Sequence, residues 1–133
     1  MKPLLVDSSA WIQAFSRKPE KKLQNILRDA KDAHRLSTCG IIFLEVVRGG
    51  RTPREYEELQ EEFHSMHWLS TEEEHWSMAT DMGFQLAKKG FRPPSTDLLI
   101  ASLAISTDSE LLHCDRHFDQ IAQFFPLRIV SSL

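Results

Sequence analysis

The sequence has little cysteine, little glycine and no long apolar run. Two cysteines in 133 residues, Cys39 and Cys114, are too few for a disulfide scaffold and suit a reducing compartment. The five glycines are nowhere arranged as G-x-x-x-x-G-K-[ST], G-x-G-x-x-G or G-x-S-x-G. The phosphate cradle of an ATPase, the dinucleotide fingerprint of a dehydrogenase and the nucleophile elbow of a serine hydrolase are therefore excluded. The longest apolar stretch, Leu98 to Ile105, is broken by Ser102 and falls well short of the ~20 residues that span a bilayer. The run Leu4-Leu5-Val6 stops at Asp7, too soon for the core of a secretion signal. A cytoplasmic protein without membrane contact is the expectation. Positive charge is not in excess: 16 Lys and Arg against 19 Asp and Glu leave −3, which excludes nucleic-acid binding by bulk charge.

What is present is a globular composition, 41% apolar and 26% charged, with a length that suits one domain over residues 1–133. Short apolar runs alternate with helical periods. Leu4-Leu5-Val6 reads as a buried strand, and Ser8 or Ser9 as the cap of a helix carrying Trp11, Ile12 and Phe15. Pro19 opens a helix with Leu23, Ile26, Leu27 and Ala30 at i, i+3, i+4 and i+7. A weaker strand signal lies at His34–Ser37, before a short apolar helix from Gly40 to Arg48 that Gly49-Gly50 ends. Thr52-Pro53-Arg54-Glu55 has the pattern of a capping box, and Thr71 with Glu74 repeats it ahead of a long helix closed by Gly90. Met66–Leu69 is a candidate strand between the two. Ser95 or Thr96 is expected to cap a nearly all-apolar helix from about Asp97 to Ser106. Leu111-Leu112 and Leu127–Val130 read as strands on either side of a short helix, Phe118 to Phe124. The rhythm predicts an α/β fold in three layers, a central mostly parallel sheet of about four to five short strands between helices.

In an open α/β sheet, ligands bind outside the carboxyl ends of the strands, which directs attention to the acids placed there. Asp7 follows the first strand, Asp115 follows Leu111-Leu112 after two residues, and Asp97 begins the most apolar helix. Glu45 stands among Ile41, Ile42, Phe43, Leu44, Val46 and Val47. Singly, each has a plainer reading: a helix cap, a loop residue, a first-turn acid favoured by the helix dipole, a side chain turned to solvent. Four such acids in one small domain point instead to a shared site. Carboxylates packed together raise one another's pKa values unless a cation sits between them. Mg²⁺, or Mn²⁺ in its place, is the natural occupant of an all-oxygen shell, and such an ion can activate water against a phosphodiester.

Four segments carry a resemblance. Leu5-Val6-Asp7-Ser8-Ser9-Ala10-Trp11, Leu44-Glu45-Val46-Val47-Arg48-Gly49, Ser95-Thr96-Asp97-Leu98-Leu99-Ile100-Ala101 and Cys114-Asp115-Arg116-His117-Phe118, in that order, resemble the PIN-domain family. More narrowly they are similar to the VapC-type toxins of bacterial toxin–antitoxin pairs, over nearly the whole chain. The resemblance implies a Mg²⁺-dependent endoribonuclease whose acidic site is Asp7, Glu45, Asp97 and Asp115. It implies Asp7 and Asp97 as direct metal ligands, with Glu45 and Asp115 completing the shell or orienting water, and Ser9 supporting the first Asp. It also implies a small antitoxin partner that blocks the site, and a homodimer or a toxin–antitoxin hetero-oligomer. Two positions depart from the family pattern. His113 stands where Thr or Ser is common, and His117 where a further acid is common, which weakens the case for a second metal position. His117 is a candidate contact to the RNA backbone as donor or proton carrier, although a half-exposed loop histidine is the plainer reading.

Other features are weaker. Arg48, Arg51 and Arg54 follow Glu45, and Lys88, Lys89 and Arg92 precede Asp97; both clusters suit RNA phosphates, while a solvated charge is simpler for any one of them. His113-Cys114-x-x-His117 and His64-x-x-His67 have zinc-like spacing without a second ligand pair. The apolar face of Pro19–Ala33, Trp11 and Trp76 are candidate partner contacts, with core packing the plainer expectation. Two rival functions remain: a non-catalytic PIN-fold module that binds RNA or protein, and phosphoryl transfer on small molecules by an aspartyl phosphatase. Ser9, in place of a paired acid two residues after Asp7, counts against the second.

Overall fold

Leu4–Val6 (β1) is the middle strand of the sheet, and each of its three residues is at most 1% exposed. In the computed structural model, which describes residues 1–131, β2 (Leu36–Thr38) and β3 (His67–Trp68) lie on one side of β1. On the other side lie β4 (Glu110–His113) and β5 (Arg128–Ser131), giving the order β3-β2-β1-β4-β5. Every pairing is parallel: Leu4 lies opposite Leu36 and Glu110, and Val6 opposite Leu112. A strand covered on both faces needs a continuous apolar run rather than an alternating one, and Leu4-Leu5-Val6 is such a run.

Among the described residues seven helices connect the strands: α1 (Ser8–Ala14), α2 (Lys21–Asp32), α3 (Gly40–Val47), α4 (Pro53–His64), α5 (Glu73–Lys88), α6 (Ser95–Ser106) and α7 (Arg116–Ala122). The chain steps from β1 to β2 to β3 in one direction, then returns to β4 and β5 in the other. With right-handed crossovers, that reversal places α1–α4 over one face of the sheet and α5–α7 over the other. The sheet is thus the middle of three layers, and β1 and β4 flank the point where the direction of winding changes.

Several boundaries differ from the sequence expectation, each for a local reason. Asp7, not Ser8 or Ser9, caps α1, because its extended backbone lets the carboxylate accept the Ser9 N–H at 3.0 Å. A charged acceptor holds that donor more strongly than a hydroxyl would. The helix after Pro19 starts at Lys21, and His34 adopts φ 56° after it, so β2 begins only at Leu36. Thr71 does not cap α5; the Glu72 N–H donates to His75 Nδ1 at 2.8 Å, so an imidazole takes the part expected of Glu74. α6 begins at Ser95, where the Pro94 carbonyl accepts from Asp97 and Leu98, so Asp97 lies inside the first turn. α7 likewise begins early, at Arg116, capped by Asp115. Thr52 does cap α4, accepting from the Glu55 N–H at 3.1 Å, and Gly90, at φ 88°, closes α5.

The core holds Phe63 and Phe118 with no exposure, and Trp11 packs on Phe63 at 5.2 Å between ring centres. Leu23, Leu27 and Ala30 of α2 are buried, so that face and Trp11 belong to the core as expected. Trp76 does not: it is 58% exposed on α5, near Phe84 at 62%. Its position on the outer face of the helix removes it from the reach of the sheet. Among the described residues no helix is long and apolar enough to cross a membrane.

The link between α3 and α4 is tight at Gly50, where an added Cβ would sit 2.9 Å from Tyr56 Cα and 3.0 Å from its nitrogen. Backbone cannot yield as a flexible side chain can, so Gly50→Ala is expected to cost ~1–3 kcal/mol. At roughly 4–8 °C per kcal/mol for a small domain, thermal denaturation followed by circular dichroism should show Tm falling by at least several degrees. An unchanged Tm would mean that α4 is free to shift.

Candidate functional site

Ligands of doubly wound sheets bind at the carboxyl edge where the winding reverses, and here that edge carries Asp7 after β1 and Asp115 after β4. The Asp7 N–H donates to the Leu112 carbonyl at 2.9 Å, which keeps the exit of β1 against β4. Asp7 Oδ2 accepts two hydrogen bonds from Ser9, from the backbone N–H at 3.0 Å and from the hydroxyl at 2.6 Å. The Ser9 hydroxyl in turn accepts the Cys114 N–H at 3.0 Å. One serine therefore ties the ends of the two central strands to one carboxylate. Its neighbour Ser8 donates to Glu45 Oε1 at 2.8 Å and brings the acid of α3 to the start of α1.

The other half of the site comes from α6 and from the turn after β4. His117 Nδ1 lies 3.0 Å from Asp97 Oδ2 and 2.9 Å from Asp115 Oδ1, and the His117 N–H donates to the same Asp115 oxygen. Behind them His113 is fully buried. Its Nδ1 accepts the Asp115 N–H at 3.1 Å, so Nε2 carries the proton and faces Asp119 Oδ1 at 3.2 Å.

Burial sets the electrostatics. Asp7 is 4% exposed and Asp97 8%. Burial raises the Asp7 pKa despite the Ser9 hydrogen bonds, and the charge of Glu45 adds to the effect. Asp97 is pushed up to about 6, by burial first and then by the charges of Asp7 and Asp115; His117 pulls the other way. Burial also pushes the Cys39 thiol up, with further contributions from Asp7 and Glu45. Asp7 thus feels the charge of Glu45, and Asp97 feels those of Asp7 and Asp115. Their unmet negative charge, and a set of oxygen donors with one imidazole, fit a divalent cation. Among the described residues, Asp97, Asp115 and His117 bring three ligand atoms within 4.8 Å of one another. Asp7 stands outside that tight trio but within electrostatic reach of Asp97.

The remaining candidates separate. Arg51 lines a cleft of about 870 Å³ together with Glu45, Ile12, Phe15 and Glu55, whereas Arg48 is an exposed cap at the end of α3 and does not line it. Arg17 also lines this cleft. Sequence reasoning passed over it, although a cation in the loop leaving the helix that Asp7 caps is a readable signal. Arg54 pairs with Glu58 on the surface, while Lys88 and Lys89 rest over the rings of Phe84 and Phe124. The zinc-like spacings do not converge. His64 stacks on Trp68, His67 Nε2 meets the His34 carbonyl, and His113 turns away from His117 toward Asp119.

The family model for the PIN domain matches residues 4–123. No curated protein sequence matches the chain. Among solved structures, it is similar to the DNA-bound VapBC of Salmonella typhimurium, with TM-score 0.78 at 19% identity over 98% of each chain. It is also similar to VapBC2 of Rickettsia felis bound to a promoter DNA fragment, with TM-score 0.77 at 16% identity over 96% of this chain and 97% of that one. VapC20 of Mycobacterium tuberculosis, a toxin that cleaves the sarcin–ricin loop, matches with TM-score 0.65 at 12% identity over 94% and 98%. At these identities the likeness is one of fold.

The raised pKa of Asp97 has a consequence for stability. Its carboxyl titrates at 3.8 ordinarily and at about 6 in the fold, so folding favours the protonated form. The associated stability is complete below pH ~4 and is lost as pH rises through about 6. In EDTA, Asp97→Asn is therefore expected to be more stable than wild type by ~2–3 kcal/mol at about pH 7.5, with the gap closing toward about pH 4. Thermal denaturation across that range measures the gap; a pH-independent difference would contradict the electrostatic account.

Proposed function

Since the chain belongs to the PIN-domain family, we propose that it is the toxin of a toxin–antitoxin pair, a Mg²⁺-dependent endoribonuclease that hydrolyses RNA phosphodiesters. The observation that carries this reading is the buried acid group at the carboxyl edge, with Asp97 held near 6 by burial and by Asp7 and Asp115. Asp97 and Asp115, with Asp7 beside them, are the residues that would hold Mg²⁺, and Mn²⁺ as a substitute. When bound, the ion supplies a Lewis acid that polarises the phosphodiester and lowers the pKa of water.

The protein's own side chains do the positioning. Ser9 keeps the Asp7 carboxylate in one orientation through two hydrogen bonds. Ser8 anchors Glu45, one of the acids that line the cleft, where it orients the attacking water. Asp115 is held by the His117 N–H. Arg51 and Arg17 line the adjoining cleft and suit the flanking phosphates, with Arg48 farther out. Since the excess of acids lies in the site itself, substrate selection falls to such local cations and to RNA shape.

The partner in this reading is a small antitoxin, by analogy with the VapBC pairs among the similar structures. Ile12 and Phe15, 62% and 50% exposed at the cleft, supply apolar surface for a protein that blocks it. The assembly is a homodimer or a toxin–antitoxin hetero-oligomer, and its setting is the cytoplasm.

The test is RNA cleavage with Mg²⁺ and with EDTA, comparing wild type, Asp97→Ala and Asp7→Asn. EDTA should abolish cleavage, and each variant should be slower by on the order of 10²–10³-fold or more while keeping the fold. Metal-dependent activity retained in purified Asp97→Ala would overturn the assignment. No cleavage by wild type, with salt-sensitive RNA binding indifferent to Asp7→Asn, would favour a non-catalytic binding module.

A further inference from the structure

We propose that His117 is a ligand of the metal ion, and that the resulting carboxylate–imidazole shell takes Mn²⁺ ahead of Mg²⁺. The inference rests on the metal-dependent reading above and concerns which ion the site selects. His117 occupies the position at which a further acid was expected, and its half-exposed ring turns Nδ1 toward two of the site's carboxylates. Its Nδ1 stands 3.0 Å from Asp97 Oδ2 and 2.9 Å from Asp115 Oδ1. In an octahedral shell with bonds of about 2.1 Å, neighbouring ligand atoms are roughly 3.0 Å apart, so the spacing of these atoms already matches two edges of such a shell. Residues of three kinds of origin meet here: the first turn of α6, the cap of α7 and its second residue.

The hydrogen bonds that hold the ring in place do not prevent ligation. Nδ1 can donate its proton to only one of the two carboxylates at a time. Ligation requires the neutral tautomer with the proton on Nε2, and the side chain is 42% exposed, so water can serve that nitrogen. The Nδ1 proton leaves to solvent as Nε2 takes one up from water, so the ring stays neutral and only the tautomer changes. Mg²⁺ prefers oxygen and gives up its waters reluctantly, whereas transition metals accept imidazole nitrogen readily. Exchanging one carboxylate for an imidazole also lowers the negative charge of the shell, which weakens the electrostatic hold on both divalent ions alike and leaves the nitrogen donor to set the preference.

Pulsed electron paramagnetic resonance on the Mn²⁺-loaded wild-type protein reads the ligand directly. Coupling to a directly bound ¹⁴N is expected in wild type, and its loss in His117→Asp. Calorimetric titrations should show wild type binding Mn²⁺ more tightly than Mg²⁺, by a ratio that His117→Asp reduces roughly tenfold. A wild-type Mn²⁺ spectrum without nitrogen coupling, or a ratio unchanged in a folded His117→Asp, would overturn the assignment of His117. In that case metal-dependent RNA cleavage by wild type would leave the nuclease reading intact. If neither ion binds wild type and RNA is not cut, both readings fail together.

Discussion

Asp7 is a carboxylate 4% exposed at the exit of the central strand, held by both donors of Ser9 while Ser9 holds the chain after β4. Burying a carboxylate is costly unless hydrogen bonds or an opposite charge compensate, and here the compensation is only partial. The position is dictated by the sheet. With all strands parallel and the winding reversed between β1 and β4, the residues leaving those two strands open onto one crevice. Asp7 caps α1 from one of them and Asp115 caps α7 from the other, so the same carboxylates that start two helices on opposite faces also line the gap between them.

Like charges would not gather there without stability supplied elsewhere. Asp97 is raised by burial first and then by the charges of Asp7 and Asp115, which is a standing cost to the fold. Offsetting it are the apolar strand β1, the buried Leu111-Leu112 of β4 and the aromatic packing of Trp11 and Phe43 against Phe63 of α4. The division of labour is spatial: the core takes the middle of the sheet, and the unfavourable charge is confined to its carboxyl edge.

Much of the architecture was legible because the signals are local. The strand Leu4–Val6, the Thr52 cap, the Gly49-Gly50 stop and the closing Gly90 each rest on chemistry within a few residues, and each stands where expected. Errors arose where two neighbours could do the same job. Asp7 and Ser8 or Ser9 compete to cap α1, and Glu74 and His75 compete in the cap of α5; the outcome depends on side-chain reach, which spacing alone does not encode. Trp76 departs from the core packing preferred for it for a related reason, since a large apolar residue on a helix does not announce which face is covered. The candidate acids were found through position and family resemblance. Their grouping, and the presence of Arg17 in the cleft, follow from contacts between elements far apart in the chain.

By itself, the sequence determined that the chain is an α/β domain with acids after its strands, because apolar runs, caps and glycines act over a handful of residues. It also set the type of chemistry available, through the carboxylates at positions 7, 45, 97 and 115. Tertiary structure alone decided which of these groups feel one another and how strongly. The pKa of Asp97 depends on burial and on charges borne by β1's exit and the turn after β4. The same holds for His117: as a sequence it is an acid missing from a pattern, and as a structure it is a nitrogen set about 3 Å from two carboxylates. Distances between elements come from packing the whole sheet, and a linear order of residues carries no such information.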